Sequence, residues 1–236
     1  MTQPRRVLLK FSGERIAGVD GNGPVDTEVL NLISQHVKAL LDDGIQVAIV
    51  TGGGNFYRGR DRDSAVQELT AHKMGMLGSI MSSLALCDGL RASGIDAEAM
   101  SMVQVPQFVD LYRPEDAAAK LEAGKVVVLG GGTVIPGFTT DTAAATFAKN
   151  LDCDVLLKGT NVEGVYDKDP NKHNDALLYE DLTYDEALSK QLHVMDMTAF
   201  AWCRQYDIPI IVFSMDEDDA PRRAIEREIG TMIQSA

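Results

Sequence analysis

Residues 7–14, Val-Leu-Leu-Lys-Phe-Ser-Gly-Glu, begin a pattern that occurs three times in this chain. In each case a short apolar run leads into a glycine-rich turn, as again in residues 47–54, Val-Ala-Ile-Val-Thr-Gly-Gly-Gly, and in residues 126–132, Val-Val-Val-Leu-Gly-Gly-Gly. Short β-branched runs without polar alternation are typical of strands buried on both faces of a parallel sheet. The three stretches therefore predict an α/β protein with a mainly parallel central sheet.

The glycine turns also indicate where a ligand would bind. Open parallel sheets bind their ligands at the carboxyl ends of the strands, and glycine lets backbone N–H groups approach an anion closely. Lys10 and Arg58 lie beside two of the turns. The sequence contains neither G-x-x-x-x-G-K-[ST] nor G-x-G-x-x-G after a strand, the two common phosphate-binding fingerprints. We therefore expect a phosphate-binding edge of a different kind.

Helical patterns alternate with the strand patterns along the chain. Asp26 is a predicted N-cap for a helix that ends at Gly44, and a long helical stretch covers about residues 64–91. Pro114 begins a short helix, and Thr183 with Glu186 forms a predicted capping box. This alternation predicts a sheet covered by helices on both faces.

One side of the long helix is rich in methionine and other apolar residues, namely Met74, Leu77, Ile80, Met81 and Leu84. Gly75 and Gly78 interrupt it, which predicts close packing against another helix or contact with a second chain. Such a stripe is more typical of a core or an oligomer interface than of a ligand site.

Composition narrows the possible classes of function. The net charge of the 236 residues is −13, which argues against nucleic acid as a partner, because binding phosphate backbones requires a basic face. No run of residues is long and apolar enough for a signal peptide or a membrane helix. The cysteines, Cys87, Cys153 and Cys203, form no C-x-x-C motif. We expect a soluble cytoplasmic protein with reduced thiols and no membrane partner.

A set of short motifs, in order along nearly the whole chain, resembles the bacterial UMP kinases of the amino-acid kinase family. The motifs are Leu9–Glu14, Gly52–Asn55 with Arg58–Gly59, His72–Leu77, Phe138–Asp141, Asp154–Lys158, Val162–Tyr166 with Asp169–Pro170, and Val194–Asp196. The resemblance implies a three-layer αβα sandwich and one domain over residues 1–236. Its acceptor-binding part would cover about residues 1–150, and its ATP-binding part about residues 151–236.

The same resemblance implies an activity. A member of this family transfers the γ-phosphoryl group of ATP to UMP, giving UDP and ADP, in pyrimidine nucleotide synthesis. It also implies a homohexamer. The sequence has no metal-ligand cluster, so Mg²⁺ is expected to arrive on the oxygens of ATP.

Roles for individual residues follow from the resemblance, and the chemistry of the side chains agrees with them. The expected catalytic residues are Lys10, Lys158, Asp141 and Asp196. The expected ATP-binding residues are Lys10, Phe11, Ser12, Gly13, Gly54, Arg58, Thr160, Asn161, Tyr166 and Asp169. The expected UMP-binding residues are Gly53, Arg58, His72, Thr133, Val134, Ile135, Pro136, Gly137, Phe138, Thr139 and Thr140.

Positioning and charge stabilisation dominate phosphoryl transfer, so two lysines at strand ends can clamp the transferred group from both sides. Arg58 offers a bidentate grip on the acceptor phosphate. Asp196 is expected to orient Lys10 and to hold the catalytic lysines in place.

The acceptor side departs from the family pattern at three positions. His72 stands where relatives carry an aspartate for the acceptor ribose, Ile135 replaces an asparagine, and Gly137 replaces a phenylalanine. Two alternatives therefore stay open: a kinase of the same family with a different acceptor, and a non-catalytic nucleotide-binding sensor on the same scaffold. The presence of Lys10, Lys158 and Asp196 argues against the sensor, because binding alone would not need both lysines.

Overall fold

A computed structural model describes residues 3–17, 23–57, 65–192 and 195–236. Its strands are β1 (Arg6–Phe11), β2 (Gln46–Thr51), β3 (Ala97–Ser101), β4 (Asp110–Leu111), β5 (Val126–Gly130), β6 (Val155–Thr160), β7 (Val165–Tyr166), β8 (Leu178–Tyr179), β9 (Asp181–Thr183), β10 (Ile210–Ser214) and β11 (Thr231–Gln234). Its helices are α1 (Gly13–Ile16), α2 (Thr27–Asp42), α3 (Glu68–Ala92), α4 (Pro114–Glu122), α5 (Thr140–Asn150), α6 (Tyr184–Ser189), α7 (Met197–Gln205) and α8 (Ala220–Ile225).

Nine of the strands form one sheet in the order β4-β3-β5-β2-β1-β6-β10-β11-β9. Every neighbouring pair in it is parallel except β10 with β11. Strands β7 and β8 form a separate antiparallel hairpin. The prediction of a mainly parallel sheet is confirmed.

Alternate residues of the central strands pack against helices on opposite faces of the sheet. On β1, Leu8 belongs to the core formed with α4, α5, α6 and α7. Its neighbours Val7 and Leu9 belong to the core formed with α2, α3 and α8. Because both faces of the strands are buried, the runs read as continuously apolar. The expected three-layer αβα sandwich is confirmed.

Local sequence signals placed several helix ends correctly. The Asp26 carboxylate accepts hydrogen bonds from the first turn of α2, and Thr183 and Glu186 form both bonds of the capping box at α6. Pro114 occupies the first turn of α4. Strand β11 was not predicted, because four residues are too few to show a clear strand pattern. Its pairing with β9 and β10 joins segments that are distant in the sequence.

The glycine turn that follows β2 packs closely against helix α3. A Cβ on Gly53 would overlap the Gly75 carbonyl oxygen and lie 2.5 Å from Ser79 N. A Cβ on Gly78 would lie 2.9 Å from Gly53 O. At Gly78, helix α3 is therefore approached by the glycine turn after β2 and not by another helix. Contact of this part of α3 with a second chain stays a prediction, since a Cβ on Gly75 would have no neighbour within 4 Å beyond its own helix backbone.

The apolar stripe of α3 divides between the core and the surface. Ile80 is buried, whereas Met74, Leu77 and Met81 are exposed. None of the helices in the described ranges combines the length and apolar character that a membrane crossing requires.

Candidate active site

Three charged side chains meet at the carboxyl ends of β1 and β6. Lys10 Nζ lies 2.5 Å from Asp141 Oδ1, and Lys158 Nζ lies 2.7 Å from Asp141 Oδ2. All three side chains are largely buried, with 10, 12 and 13% exposed for Lys10, Lys158 and Asp141. A single carboxylate thus holds two ammonium groups side by side, and the trio carries one net positive charge.

Strand register explains why the two lysines meet. Lys10 is two residues beyond Leu8, and side chains along a strand alternate between the faces, so Lys10 points toward the α5 layer. Lys158 is the register partner of Lys10 on β6 and points to the same face. Helix α5 begins beside these strand ends and presents Asp141 in its first turn, where a negative charge is stabilised by the helix dipole.

Burial and charge act against each other within the trio. Burial works to raise the pKa of Asp141, but the ammonium groups of Lys10 and Lys158 outweigh it and hold that pKa below its usual value. Burial also lowers the pKa of Lys158, against the opposing charge of Asp141 and with the help of the neighbouring Lys10. Crowded cations that lack full compensation are suited to bind an anionic group.

Asp196 connects α7 to the start of α5. Its carboxylate caps α7 by accepting from Ala199 N at 2.9 Å, and it accepts from Thr142 Oγ1 at 2.9 Å. The Thr139 hydroxyl also donates to Asp196. The expectation that Asp196 orients Lys10 needs correction, because the carboxylate in contact with Lys10 is Asp141. Asp196 holds the threonines around Asp141, and its charge works to raise the pKa of Lys158.

A cleft of about 490 Å³ opens over the trio, and we call it the phosphoryl cleft. It is lined by Lys10, Ser12, Gly13, Glu14, Gly52, Gly53, Gly54, Thr139, Thr140, Asp141, Lys158, Met195 and Asp196. The first two glycine turns touch here, since a Cβ on Gly13 would overlap Gly52 O and lie 2.6 Å from Asn55 Oδ1. Glycine at these positions brings two backbone turns close to the lysines.

The third glycine turn, residues 130–132, does not belong to the lining of this cleft. The N–H of Gly131 donates to Ser79 Oγ at 2.8 Å, so this donor serves the packing on α3. Two of the three turns therefore line this cleft, and the expectation that the third also binds phosphate stays a prediction.

The predicted acceptor loop, residues 133–138, follows the third turn. Val134, Ile135 and Phe138 are 44, 55 and 40% exposed. Val134 has a φ of 62°, which is a costly conformation for a β-branched residue. The loop leads into Thr139 and Thr140, which line the phosphoryl cleft. Its role in binding UMP stays a prediction.

A second cleft, of about 590 Å³, lies beside the first, and we call it the donor cleft. It is lined by Lys158, Thr160, Val162, Gly164, Val165, Tyr166, Asp167, Lys168, Asp169, Pro170, Asn171, Lys172, Lys190, Gln191, Leu192 and Val212. Lys158 lines both clefts. A ligand in the donor cleft can therefore reach the trio from the side of β6.

Three predicted ATP-binding residues line the donor cleft. Thr160 Oγ1 donates to Val162 O at 2.7 Å and fixes the turn after β6. The Tyr166 hydroxyl donates to Glu163 Oε2 at 2.7 Å; burial and this carboxylate raise the pKa of Tyr166 to about 12. An ion pair with Lys172 at 3.0 Å lowers the pKa of Asp169.

Two other predicted ATP-binding residues, Phe11 and Asn161, line neither cleft. Phe11 is fully buried in the core and lines neither cleft, so its expected contact with ATP stays a prediction. Asn161 accepts a hydrogen bond from Arg15 Nη1 at 3.3 Å, and Arg15 also pairs with Asp216. The sequence analysis assigned no contact to Arg15, which follows directly on the first glycine turn and lines neither cleft.

The predicted acceptor residue His72 lies apart from the clefts. His72 Nε2 on α3 lies 3.7 Å from Glu68 Oε1, and neither residue lines either cleft. Arg58 lies outside the described residues, so its expected contacts with both substrates stay predictions from the sequence.

The chain matches known proteins in both sequence and fold. The model of the amino acid kinase family matches residues 5–214. A uridylate kinase of Aeromonas salmonicida (strain A449) is 43% identical over 231 residues, which cover 97% of this chain and 94% of that protein. A UMP kinase structure from Bacillus anthracis has a TM-score of 0.93 at 31% identity, covering 98% of this chain and 96% of the other.

A UMP kinase structure from Ureaplasma parvum has a TM-score of 0.89 at 30% identity, covering 98% of this chain and 99% of the other. Because these matches cover 97–98% of the chain, they include residues of both clefts. The family match, the close relatives and the fold agree: this chain belongs to the amino acid kinase family.

Proposed function

We propose that this chain transfers the γ-phosphoryl group of ATP to UMP, giving UDP and ADP. The observation that carries the proposal is the trio of Lys10, Asp141 and Lys158 where the two clefts meet. A phosphoryl group in transfer spreads negative charge over its oxygens. Two ammonium groups fixed by one carboxylate offset that charge without reorganising. The names of the relatives, uridylate kinase and UMP kinase, support UMP as the acceptor.

In this proposal ATP lies in the donor cleft and directs its phosphates toward Lys158. Thr160, Asn161, Tyr166 and Asp169 form the nucleoside end. At the other end, backbone N–H groups of the two glycine turns and the Lys10 ammonium receive the γ-phosphoryl group. Ser12, Gly13 and Gly54 belong to this phosphate-binding set.

UMP then enters the phosphoryl cleft from the side of the acceptor loop. Gly53, Arg58, Thr139 and Thr140 are proposed to hold its phosphate in line with ATP. The loop of residues 133–138 and His72 are proposed to hold its base and ribose. Asp141 positions both lysines, and Asp196 positions the threonines that flank Asp141.

Magnesium is proposed to arrive with ATP. Two of the three carboxylates that line the phosphoryl cleft are engaged by protein groups: Asp141 contacts two lysines, and Asp196 accepts from two hydroxyls and a backbone N–H. Within the described ranges no group of three or more His, Cys, Asp or Glu residues could hold a metal ion. These observations support a magnesium ion that is bound mainly by the phosphate oxygens of ATP. When bound there, the ion would offset the negative charge of the phosphates.

An acceptor panel tests the activity. UMP, CMP, dTMP, acetylglutamate, carbamate and aspartate are each supplied with Mg-ATP, and ADP and the phosphorylated product are measured. We expect UDP from UMP as the fastest product. Preference for acetylglutamate, carbamate or aspartate would favour a different kinase of the family. Binding of ATP without turnover of any acceptor would favour the sensor.

Self-association is proposed to use the exposed stripe of α3. Met74, Leu77 and Met81 recur at a spacing that places them on one side of the helix, and they are 37, 49 and 49% exposed. A subunit interface of a homohexamer that covers this stripe would remove these apolar side chains from water. Leu77→Glu should yield smaller species in analytical ultracentrifugation. An unchanged sedimentation profile would place the interface elsewhere.

A cytoplasmic role in pyrimidine nucleotide synthesis completes the proposal. Cys87, Cys153 and Cys203 are free and buried, and burial raises the pKa of each thiol to about 12. Unreactive reduced thiols of this kind suit a reducing compartment.

A further inference from the structure

Lys190 lines the donor cleft but belongs to none of the motifs. It follows α6, and its Nζ donates to the Tyr179 hydroxyl at 3.2 Å and sits 4.6 Å from the centre of the same ring. Tyr179 lies on β8 and pairs with Val165 of β7. The ammonium is therefore held against the hairpin wall of the cleft by an aromatic face and a hydroxyl.

The surroundings of the Lys190 ammonium differ from those of the other three lysines that line this cleft. Those three form ion pairs with carboxylates: Lys158 with Asp141, Lys168 with Asp175 and Lys172 with Asp169. Among the described residues, no carboxylate oxygen lies within 4.0 Å of the Lys190 ammonium. The charge of Lys190 does work to lower the pKa of Glu186, one helical turn earlier, but the two groups form no direct ion pair. In a chain with a net charge of −13, a held ammonium that forms no direct ion pair is suited to bind an anion.

We infer that Lys190 is a binding residue for the polyphosphate of the donor nucleotide, an inference that rests on the proposed function. A lysine ammonium has three N–H donors, and the Tyr179 hydroxyl takes one of them. The remaining donors are available to phosphate oxygens. Because the cation–π contact already restrains the side chain, little rotamer entropy is lost when the phosphate binds.

The test compares two lysines that each sit over a tyrosine ring. Lys190→Ala removes the cation from the donor cleft. Lys149→Ala is the control, because Lys149 Nζ lies 5.5 Å from the Tyr206 ring and lines neither the donor nor the phosphoryl cleft. Equilibrium binding of ATP, adenosine and inorganic tripolyphosphate is measured for each protein without any acceptor.

We expect Lys190→Ala to weaken ATP and tripolyphosphate about tenfold or more, as for loss of a charged hydrogen bond. Adenosine should bind as before, and Lys149→Ala should match the wild type. The difference should shrink at high salt, because screening weakens the contact. Tyr179→Phe should keep most of the affinity, whereas Tyr179→Leu should lose part of it by releasing the ammonium.

Two results would overturn the inference. Equal losses for adenosine and tripolyphosphate would mean that Lys190 only supports the cleft wall, and no loss for either would remove it from the site. Lys190→Met, which keeps an apolar stem over the ring, replaces the alanine variant if that folds poorly. Wild-type protein that binds tripolyphosphate through Lys190 but fails to phosphorylate UMP would overturn the proposed function and leave this inference standing.

Discussion

Lys10 of β1 and Lys158 of β6 are register partners on neighbouring parallel strands. Partners in a parallel pair point to the same face, so both ammonium groups leave the sheet toward α5. The first turn of α5 then places Asp141 between them, at 2.5 and 2.7 Å. The charged centre is thus assembled by the register of two strands and by the first turn of one helix.

Lys10→Met should reduce kcat by about 10²–10³-fold, because one of the two cations at the transferring group is lost. The fold should persist, since Asp141 keeps its ion pair with Lys158. Steady-state kinetics with both substrates saturating, together with a thermal melt, check this. A loss below about tenfold with an unchanged melting temperature would remove Lys10 from the catalytic role.

Asp141→Asn should destabilise the protein by about 3–5 kcal/mol, because it leaves two buried ammonium groups without their shared carboxylate. Tripolyphosphate should raise the melting temperature of the variant more than that of the wild type, because an anion can take the place of the missing carboxylate. Thermal melts with and without tripolyphosphate measure both effects.

Asp152→Asn is the control for that substitution. Asp152 pairs with Lys149 at 3.6 Å, but its side chain is 85% exposed, so a change near zero is expected. Similar melting temperatures for the two variants would show that the trio contributes little to stability.

Gly53→Ala and Gly75→Ala should have opposite effects on stability, although both glycines lie at the same contact. A Cβ on Gly53 would overlap the Gly75 carbonyl and force the second glycine turn away from α3, lowering both stability and activity. A Cβ on Gly75 would have no atom within 4 Å apart from its chain neighbours and its own helix backbone, so alanine should stabilise the helix by about 1 kcal/mol. Urea unfolding of both variants measures the difference; destabilisation by Gly75→Ala would contradict the described packing.

His36 should make stability depend on pH. The ring is buried, and Nε2 contacts Met215 O at 3.1 Å. Burial lowers the pKa of His36 and outweighs the opposing effects of the Met215 carbonyl and of Asp219. The unfolded chain therefore binds more protons than the folded one once pH falls below about 6.5, the ordinary histidine pKa. Stability contributed by the neutral ring is present above that pH and is lost as pH falls through the lowered pKa.

His36→Gln tests this dependence, because a glutamine amide can donate to the same carbonyl but does not titrate. As pH falls from about 6.5 to 5, the wild type should lose stability relative to the variant, by at most about 1.4 kcal/mol per pH unit. Urea unfolding at several pH values gives both curves. Parallel curves would show that His36 does not couple protonation to folding.

The sequence was sufficient for the features that depend on local interactions. Buried strands such as β1 and β2 are visible as apolar runs, and the caps at Asp26 and Thr183 depend on residues within one turn of the chain. The short strand β11 was missed, because its pairing with β9 and β10 is long-range.

The chemical identity of the charged centre was also determined by the sequence, since Lys10, Asp141 and Lys158 stand out at strand and helix ends. Which carboxylate contacts which lysine was decided only by the tertiary structure, which gives Lys10 to Asp141 and the threonines to Asp196. Such contacts depend on where α5 and α7 dock on the sheet. No local pattern encodes that docking, because it is fixed by the packing of the whole core.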